Sequence, residues 1–240
     1  MKNKKKILFF GGLSRSIRNS RLEIIDQLRK KYDLIIYLRT KDEITKKIIK
    51  RKKINFYKNT FSKNKFSTNL IIDFIFLIKI VISDRPQIIF SYNTIPNIVN
   101  LFLNFLFPKV KSIFLITGLG NFYSNENNLF NFKFFLFKLL IKKIINRSTF
   151  IIFQNKEDKF FFKKINNNKN FKNLLVNGSG VNKQKYYTKY KEIRKPYILM
   201  ISRIFEKKGV NEFLDASKKI KKKFPNFKFT LVGKKENDKL

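Results

Sequence analysis

Cysteine, histidine and tryptophan do not occur in the 240 residues. Without Cys there is no disulfide framework, thiolate metal site or cysteine nucleophile. Without His as well, the common zinc sites and the Ser-His-Asp type of triad cannot be assembled, so any chemistry rests on carboxylates, Lys, Arg, hydroxyls and backbone groups. Acidic side chains are also scarce: 16 Asp+Glu stand against 54 Lys+Arg, a formal charge of +38. Such a field attracts phosphates, anionic lipid or nucleic acid. A genome rich in A and T produces the same excess, because it inflates Lys, Asn, Ile, Phe and Tyr together, so charge alone assigns no partner.

Long uninterrupted apolar runs are lacking too. Leu70 to Ile82 and Leu129 to Ile145 are both broken by Lys, short of the ~20 apolar residues that a spanning helix needs. The basic start and the run Ile7 to Phe10 imitate a secretion signal, but four apolar residues leading into Gly11-Gly12 fit a first strand better. The expectation is a cytoplasmic protein, seated peripherally at the inner face of the cell membrane.

What is present is 43% apolar residues, enough for a real core in one large domain or two small ones. Short apolar runs alternate with longer helical patterns, the signature of β-α-β units in a doubly wound parallel sheet. The strands expected are KILFF, DLIIYL, INFY, QIIFSY, SIFLIT, TFIIFQ, NLLVNG, YILMIS and FKFTLVG. The helices expected run over 18–31, 41–53, 69–83, 95–107, 129–147, 156–165 and 210–224. An α/β domain is thus predicted over 1–181, a linker over 182–196 that ends in Pro196, and over 197–240 the start of a second Rossmann-like domain with two buried strands and one helix.

Four loops carry candidate chemistry. Gly11 and Gly12 follow the first strand, where small residues admit a ligand to the carboxyl edge of the sheet, with Arg15, Arg18 and Arg21 beside them. A tight turn with exposed arginines accounts for the same residues. Gly118 and Gly120, with Thr117, Asn121, Tyr123 and Glu126, follow another strand at that edge and form a second wall, or simply a turn. The glycines of NGSGVN suit a hinge between domains or a surface loop. Arg203 and Lys208, five apart on a loop before a helix, can converge on a diphosphate, or be two more surface cations.

The stretch YILMISRIFEKKGVNEFLDASKKIKKKFPNFKFTLVG resembles the start of the C-terminal domain of family-four glycosyltransferases, retaining enzymes of the GT-B fold. VNGSGVNKQKY resembles the family loop that precedes it. LITGLGNFY and SRSIRNSRLEIIDQL resemble the bacterial branch that extends lipid-linked oligosaccharides for polysaccharide, O-chain or glycan assembly. The resemblance implies that Arg203, Lys208 and Gly12 bind the diphosphate of a nucleotide sugar. It also implies that Gly11, Arg15, Arg18, Arg21, Gly118, Gly120 and Tyr123 line the cleft on the acceptor side.

The implied partners are a nucleotide sugar, a lipid-linked saccharide and a membrane surface, with no metal or other cofactor and no nucleic acid. Two departures stand out. The His that many members carry near the transferred sugar is missing, and the family's glutamate pair lies past residue 240, so the catalytic residues stay unassigned and a C-terminally truncated transferase is expected. Two other readings remain. One is an inactive remnant with membrane and acceptor affinity only; the other, resting on charge alone, is a nucleic-acid binder.

Overall fold

The computed structural model describes residues 4–39, 42–58, 68–119, 132–167, 169–184, 196–204 and 208–234. The chain divides into two compact units, residues 1–183 and 184–240.

In the first unit the elements run β1 (Lys6–Phe10), α1 (Ser14–Ser20), α2 (Leu22–Lys31), β2 (Asp33–Leu38), α3 (Glu43–Arg51), β3 (Asn55–Lys58) and α4 (Thr68–Asp84). They continue with β4 (Ile88–Tyr92), α5 (Thr94–Leu106), β5 (Lys111–Ile116), α6 (Phe132–Arg147), β6 (Phe150–Phe153), α7 (Lys156–Ile165) and β7 (Asn173–Leu175). The strands form one sheet in the order β3-β2-β1-β4-β5-β6-β7, and each pairing is parallel. This is the doubly wound α/β arrangement expected from the alternation of patterns.

Strand alternation sorts the core into two layers. Ile7, Phe9, Leu34, Ile36, Phe90 and Tyr92 pack with Ile17, Ile25 and Ile49 of α1, α2 and α3. Their neighbours Leu8, Phe10, Ile35, Tyr37 and Ile89 turn to the other face, against Leu77 and Val81 of α4 and Val99 and Leu103 of α5. Phe114, Ile116, Ile151 and Phe153 continue that second layer under α6 and α7. Parallel strands covered on both sides need apolar residues at every position, which is why they read as unbroken runs.

Helix α5 carries an unusual inner face. Asn97, Asn100 and Asn104 are all buried. Asn97 accepts from Ser91 Oγ at 2.7 Å and donates to the Leu115 carbonyl at 3.1 Å. Asn100 donates to Ser91 Oγ at 2.9 Å and accepts from Ser112 Oγ at 3.1 Å, and Asn104 donates to the Val110 carbonyl at 3.1 Å. The amides lock α5 in register over β4 and β5, since a slip leaves buried amides without partners.

Two expectations are revised. The helix expected from residue 18 begins at Ser14 and is interrupted at Arg21, whose φ of −131° and ψ of −6° separate α1 from α2. In the second unit β8 (Tyr197–Ile201) and β9 (Lys228–Val232) pair in parallel beside α8 (Val210–Lys223), but they are not buried strands. Tyr197, Leu199 and Val232 are exposed and Ile201 is 75% exposed. A two-stranded sheet with one helix has too few layers to cover both of its faces.

Candidate functional site

The sheet reverses direction at its centre. From β1 the chain proceeds outward to β2, and from β4 it proceeds the other way to β5. In open α/β sheets the crevice past the carboxyl ends of two such strands is the place where ligands bind. The residues just past β1, β4, β5, β6 and β7 are Gly11, Asn93, Thr117, Gln154 and Val176.

Gly11 is buried, and a Cβ there lies 1.9 Å from Cζ of Tyr92. Close packing of Tyr92 therefore explains this glycine, rather than space held for a ligand. Gly12 differs: a Cβ placed on it comes no nearer than 4.0 Å to Asn93. Asn93 itself takes the left-handed conformation, φ 73°, as the backbone turns from β4 into α5.

The three arginines after Gly12 part company. Arg15 is exposed. Arg18 turns away to Asp42, 3.5 Å between Nη2 and Oδ2. Asp42 caps α3, accepting from the Thr45 backbone N–H at 3.1 Å and from its hydroxyl at 2.9 Å. Burial pushes the Asp42 carboxyl up, but the two Thr45 bonds and Arg18 outweigh it and hold the group below the usual aspartate range.

Arg21 is only 4% exposed. Its guanidinium lies 5.0 Å from the centre of the Tyr92 ring, and its Nη1 donates to the Ser20 carbonyl at 3.0 Å and to Ser179 Oγ. Gln154 Nε2 donates to the same Ser179 oxygen at 3.2 Å. Tyr92 reaches Ser16 Oγ at 2.9 Å, and the Ser16 hydroxyl donates to the Leu13 carbonyl at 2.5 Å, so Tyr92 is the donor to Ser16. Burial lowers the Arg21 pKa, with Tyr92 opposing, and raises that of Tyr92.

Gly118 has φ 136°, a conformation that favours glycine, and nothing lies within 4 Å of a Cβ built there. The next residue is anchored: the Leu119 N–H donates to the carboxylate of Asp158 on α7. Asp158 in turn receives Asn155 Nδ2 at 2.7 Å, while its own N–H donates to Asn155 Oδ1 at 2.7 Å. Burial raises its pKa, with Asn155 and the Leu119 N–H opposing. Gly120, Asn121, Tyr123 and Glu126 lie outside the described residues.

Sequence reading missed Asp158, and it also missed a cluster at the end of β2. There Asp73 of α4 is buried and accepts from Tyr37 Oη and from Arg39 Nε, each at 2.5 Å. Tyr37, Arg39 and Asp73 share a small cavity with Gly11 and Pro96. The only hint of this cluster in the sequence is an aspartate inside an otherwise apolar helix.

The second unit is described by itself. Arg203 and Lys208 are both exposed and lie on the connection from β8 to α8; residues 205–207 lie outside the described residues. Backbone bonds from Ser202 N–H to the Val232 carbonyl and from Ile204 N–H to the Lys234 carbonyl, both 3.0 Å, fix the start of this loop. Gly209 takes φ 74° directly before α8, and Gly233 has no room for a Cβ, which would lie 1.6 Å from the Ser202 carbonyl oxygen. Among the described residues no three His, Cys, Asp or Glu gather into a group able to hold a metal ion.

Residues 182–240 match the family model for glycosyl transferases group 1. Over 247 aligned residues, spanning 97% of this chain, the protein is 26% identical to the N,N'-diacetylbacillosaminyl-diphospho-undecaprenol alpha-1,3-N-acetylgalactosaminyltransferase of Campylobacter jejuni subsp. jejuni. The chain spans 64% of the length of the Campylobacter relative. Among solved structures its fold is similar to the sucrose-phosphate synthase of Thermosynechococcus elongatus, with a TM-score of 0.69 at 11% identity over 99% of this chain and 64% of that one. It is also similar to Anabaena HepE in complex with UDP-glucose, with a TM-score of 0.64 at 15% identity over 95% and 60% of the two chains. A UDP-GlcNAc 2-epimerase from Neisseria meningitidis shares the fold at a TM-score of 0.59, with 13% identity over 95% and 64%.

Proposed function

We propose that the protein acts in the transfer of a hexose or N-acetylhexosamine from a nucleotide-diphosphate sugar to a lipid-linked saccharide, with retention of configuration. The observation that carries this reading is the match of residues 182–240 to glycosyl transferases group 1 over the segment that holds Arg203 and Lys208. Support also comes from the reversal of strand order in the first unit's sheet, the place where open α/β sheets bind their ligands.

Arg203 and Lys208 stabilise the departing diphosphate, on which negative charge accumulates as the glycosidic bond to the donor breaks. Their side chains do work that a divalent cation does in other transferases, so no metal is required. Gly12 and Gly118 let the substrates approach the backbone of the first unit, and Arg15 faces the acceptor. Arg18, committed to Asp42, acts through the placement of α3. The outer surfaces of α4, α5 and α6 rest on the membrane that holds the acceptor. Phe102, Phe105, Phe135, Leu136 and Leu139 are exposed there, with Arg147 over the Phe105 ring at 4.4 Å.

The test is a calorimetric titration with UDP- and GDP-sugars, on the wild type and on an Arg203→Ala, Lys208→Ala variant. Saturable binding by the wild type and at least a tenfold loss in the variant are expected, as for two charge-assisted contacts. A folded wild-type sample that binds none of them sinks the donor assignment. Transfer of labelled sugar to a lipid-linked acceptor separates this function from that of the 2-epimerases with the same fold.

A further inference from the structure

The first unit has a larger concavity at the amino edge of its sheet, the edge opposite to Gly11, Asn93 and Thr117. Its volume of about 930 Å³ is that of a site for a sizeable ligand. Its walls come from the segment that enters β1 and from the connections α2 to β2, α3 to β3 and α4 to β4. Lys4, Lys5, Lys6, Arg29, Lys53 and Arg85 line it, and among the described residues none of the six forms an ion pair. Cations elsewhere in this unit do find carboxylates. Lys52, one residue before Lys53, holds Asp26 at 2.7 Å. The cleft has two carboxylates of its own, Asp33 and Asp84. Asp84 is engaged by hydroxyls, accepting from Tyr57 Oη at 2.7 Å and from Ser83 Oγ at 3.0 Å.

Helix dipoles do not balance this charge. Six cations against two carboxylates leave four positive charges, and α2, α3 and α4 all finish at this edge. Each helix end carries about half a negative charge, so the three together offset only ~1.5 of them. Backbone conformation singles out the same place. Among the described residues, positive φ outside glycine occurs at Lys53 (53°), Arg85 (50°), Asn93 (73°) and Asn167 (51°). Asparagine takes such a conformation several times more readily than most residues, and past a helix end glycine is the usual choice. Yet a lysine stands just past α3 and an arginine just past α4, and both line the cleft. We propose that this cleft binds a multiply charged phosphate anion, with Lys53 and Arg85 as its central contacts and Lys4, Lys5 and Arg29 around them. The shared chemistry is two or more neighbouring phosphates, as a soluble oligophosphate or as the headgroups of an anionic lipid present them. No residue of the donor or acceptor regions takes part, so the site is independent of the transferase reading.

The whole chain is titrated calorimetrically with tripolyphosphate, with inorganic phosphate at matched ionic strength and, in a separate arm, with phosphatidylglycerol vesicles. Lys53→Asn with Arg85→Asn removes both central charges and leaves residues that accept a positive φ. Lys47→Gln with Lys50→Gln removes two exposed charges of α3 that lie outside the cleft. Saturable tripolyphosphate binding is expected, at least tenfold tighter than that of phosphate. It should fall at least tenfold in the cleft variant, as for two charge-assisted contacts, and less than twofold in the α3 variant. A tenfold fall in either arm upholds the cleft, and the arm that shows it names the source. Should the cleft variant fail to fold, Lys4→Gln with Lys5→Gln, placed before β1 begins, reads the same loss at threefold or more. Equal losses in the cleft and α3 variants overturn the site, because they leave only the overall field of a chain of charge +38. Absence of saturable binding in both arms overturns it as well. A phosphate midpoint equal to that of tripolyphosphate overturns the assignment to a multiply charged anion.

Discussion

At the residue scale, the three arginines after Gly12 show how much of a side chain's role is set by partners far along the chain. Arg18 is fixed by an aspartate 24 positions away and Arg21 by a serine 158 positions away. The glycines were legible because they sit where a strand hands over to a helix, although Gly11 turned out to serve Tyr92. Asp42 allows a quantitative check. Its folded pKa lies below the unfolded one, so its contribution is complete above the ordinary aspartate value of about 3.9 and is lost as pH falls through the folded value. Asp42→Ala is expected to destabilise the protein by about 1 kcal/mol at neutral pH, the usual worth of an N-cap. Urea melts of wild type and variant should converge as the buffer is acidified below pH ~4; a gap that stays constant down to acid unfolding removes the carboxylate from the explanation.

At the element scale, strand and helix periods read well because the layers are regular. Helix α7 (Lys156–Ile165) appears with the bounds expected of it. The start of α1 at Ser14 was not legible, because no side chain caps it and the break at Arg21 depends on the pull of Ser179 and Tyr92. Helix α4 was legible as a helix, but its outer stripe has meaning only in the fold. Ile71, Ile75 and Ile82 are exposed, with Lys79 as the one cation among them. Phe74 and Phe102 join α4 to α5 edge to face, centroids 6.3 Å apart. Among the described residues no helix is long and apolar enough to cross a membrane.

Flotation with phosphatidylglycerol vesicles is expected to carry the protein upward at low salt. Phe135→Glu with Leu139→Glu should weaken this at least tenfold, since each exposed apolar side chain gains about 1.5–3 kcal/mol on full burial. Equal flotation of variant and wild type removes α6 from the membrane footing.

At the scale of the whole molecule, the charge of +38 was plain in the sequence, but its arrangement was not. Lysines and arginines collect in the last turns of α2, α3, α7 and α8, where each complements the negative end of a helix dipole. Ten of the 54 basic residues are thereby accounted for without a ligand. The contacts divide the chain after residue 183, and the two units differ in what they bury. Trypsin is expected to cut first among the lysines of 182–196 and to leave residues 1–183 as the resistant fragment, readable by mass spectrometry. A fragment pattern in which 197–240 outlasts the first unit contradicts the difference in burial between them.

The position of β1 matters before the protein is finished. It leaves the ribosome before β2 and β4, yet it ends in the middle of the sheet, between the two. Its first-layer face meets Ile25 of α2 and Leu34 and Ile36 of β2 early. Leu8 and Phe10 must await Leu77 and Val81, and then Val99 and Leu103. At ~5–20 residues per second, the gap between residue 38 and residue 103 lasts several seconds. Through that interval the nascent chain carries a paired but half-clothed sheet, with the unsatisfied edge of β1 open to any strand that reaches it before β4 does.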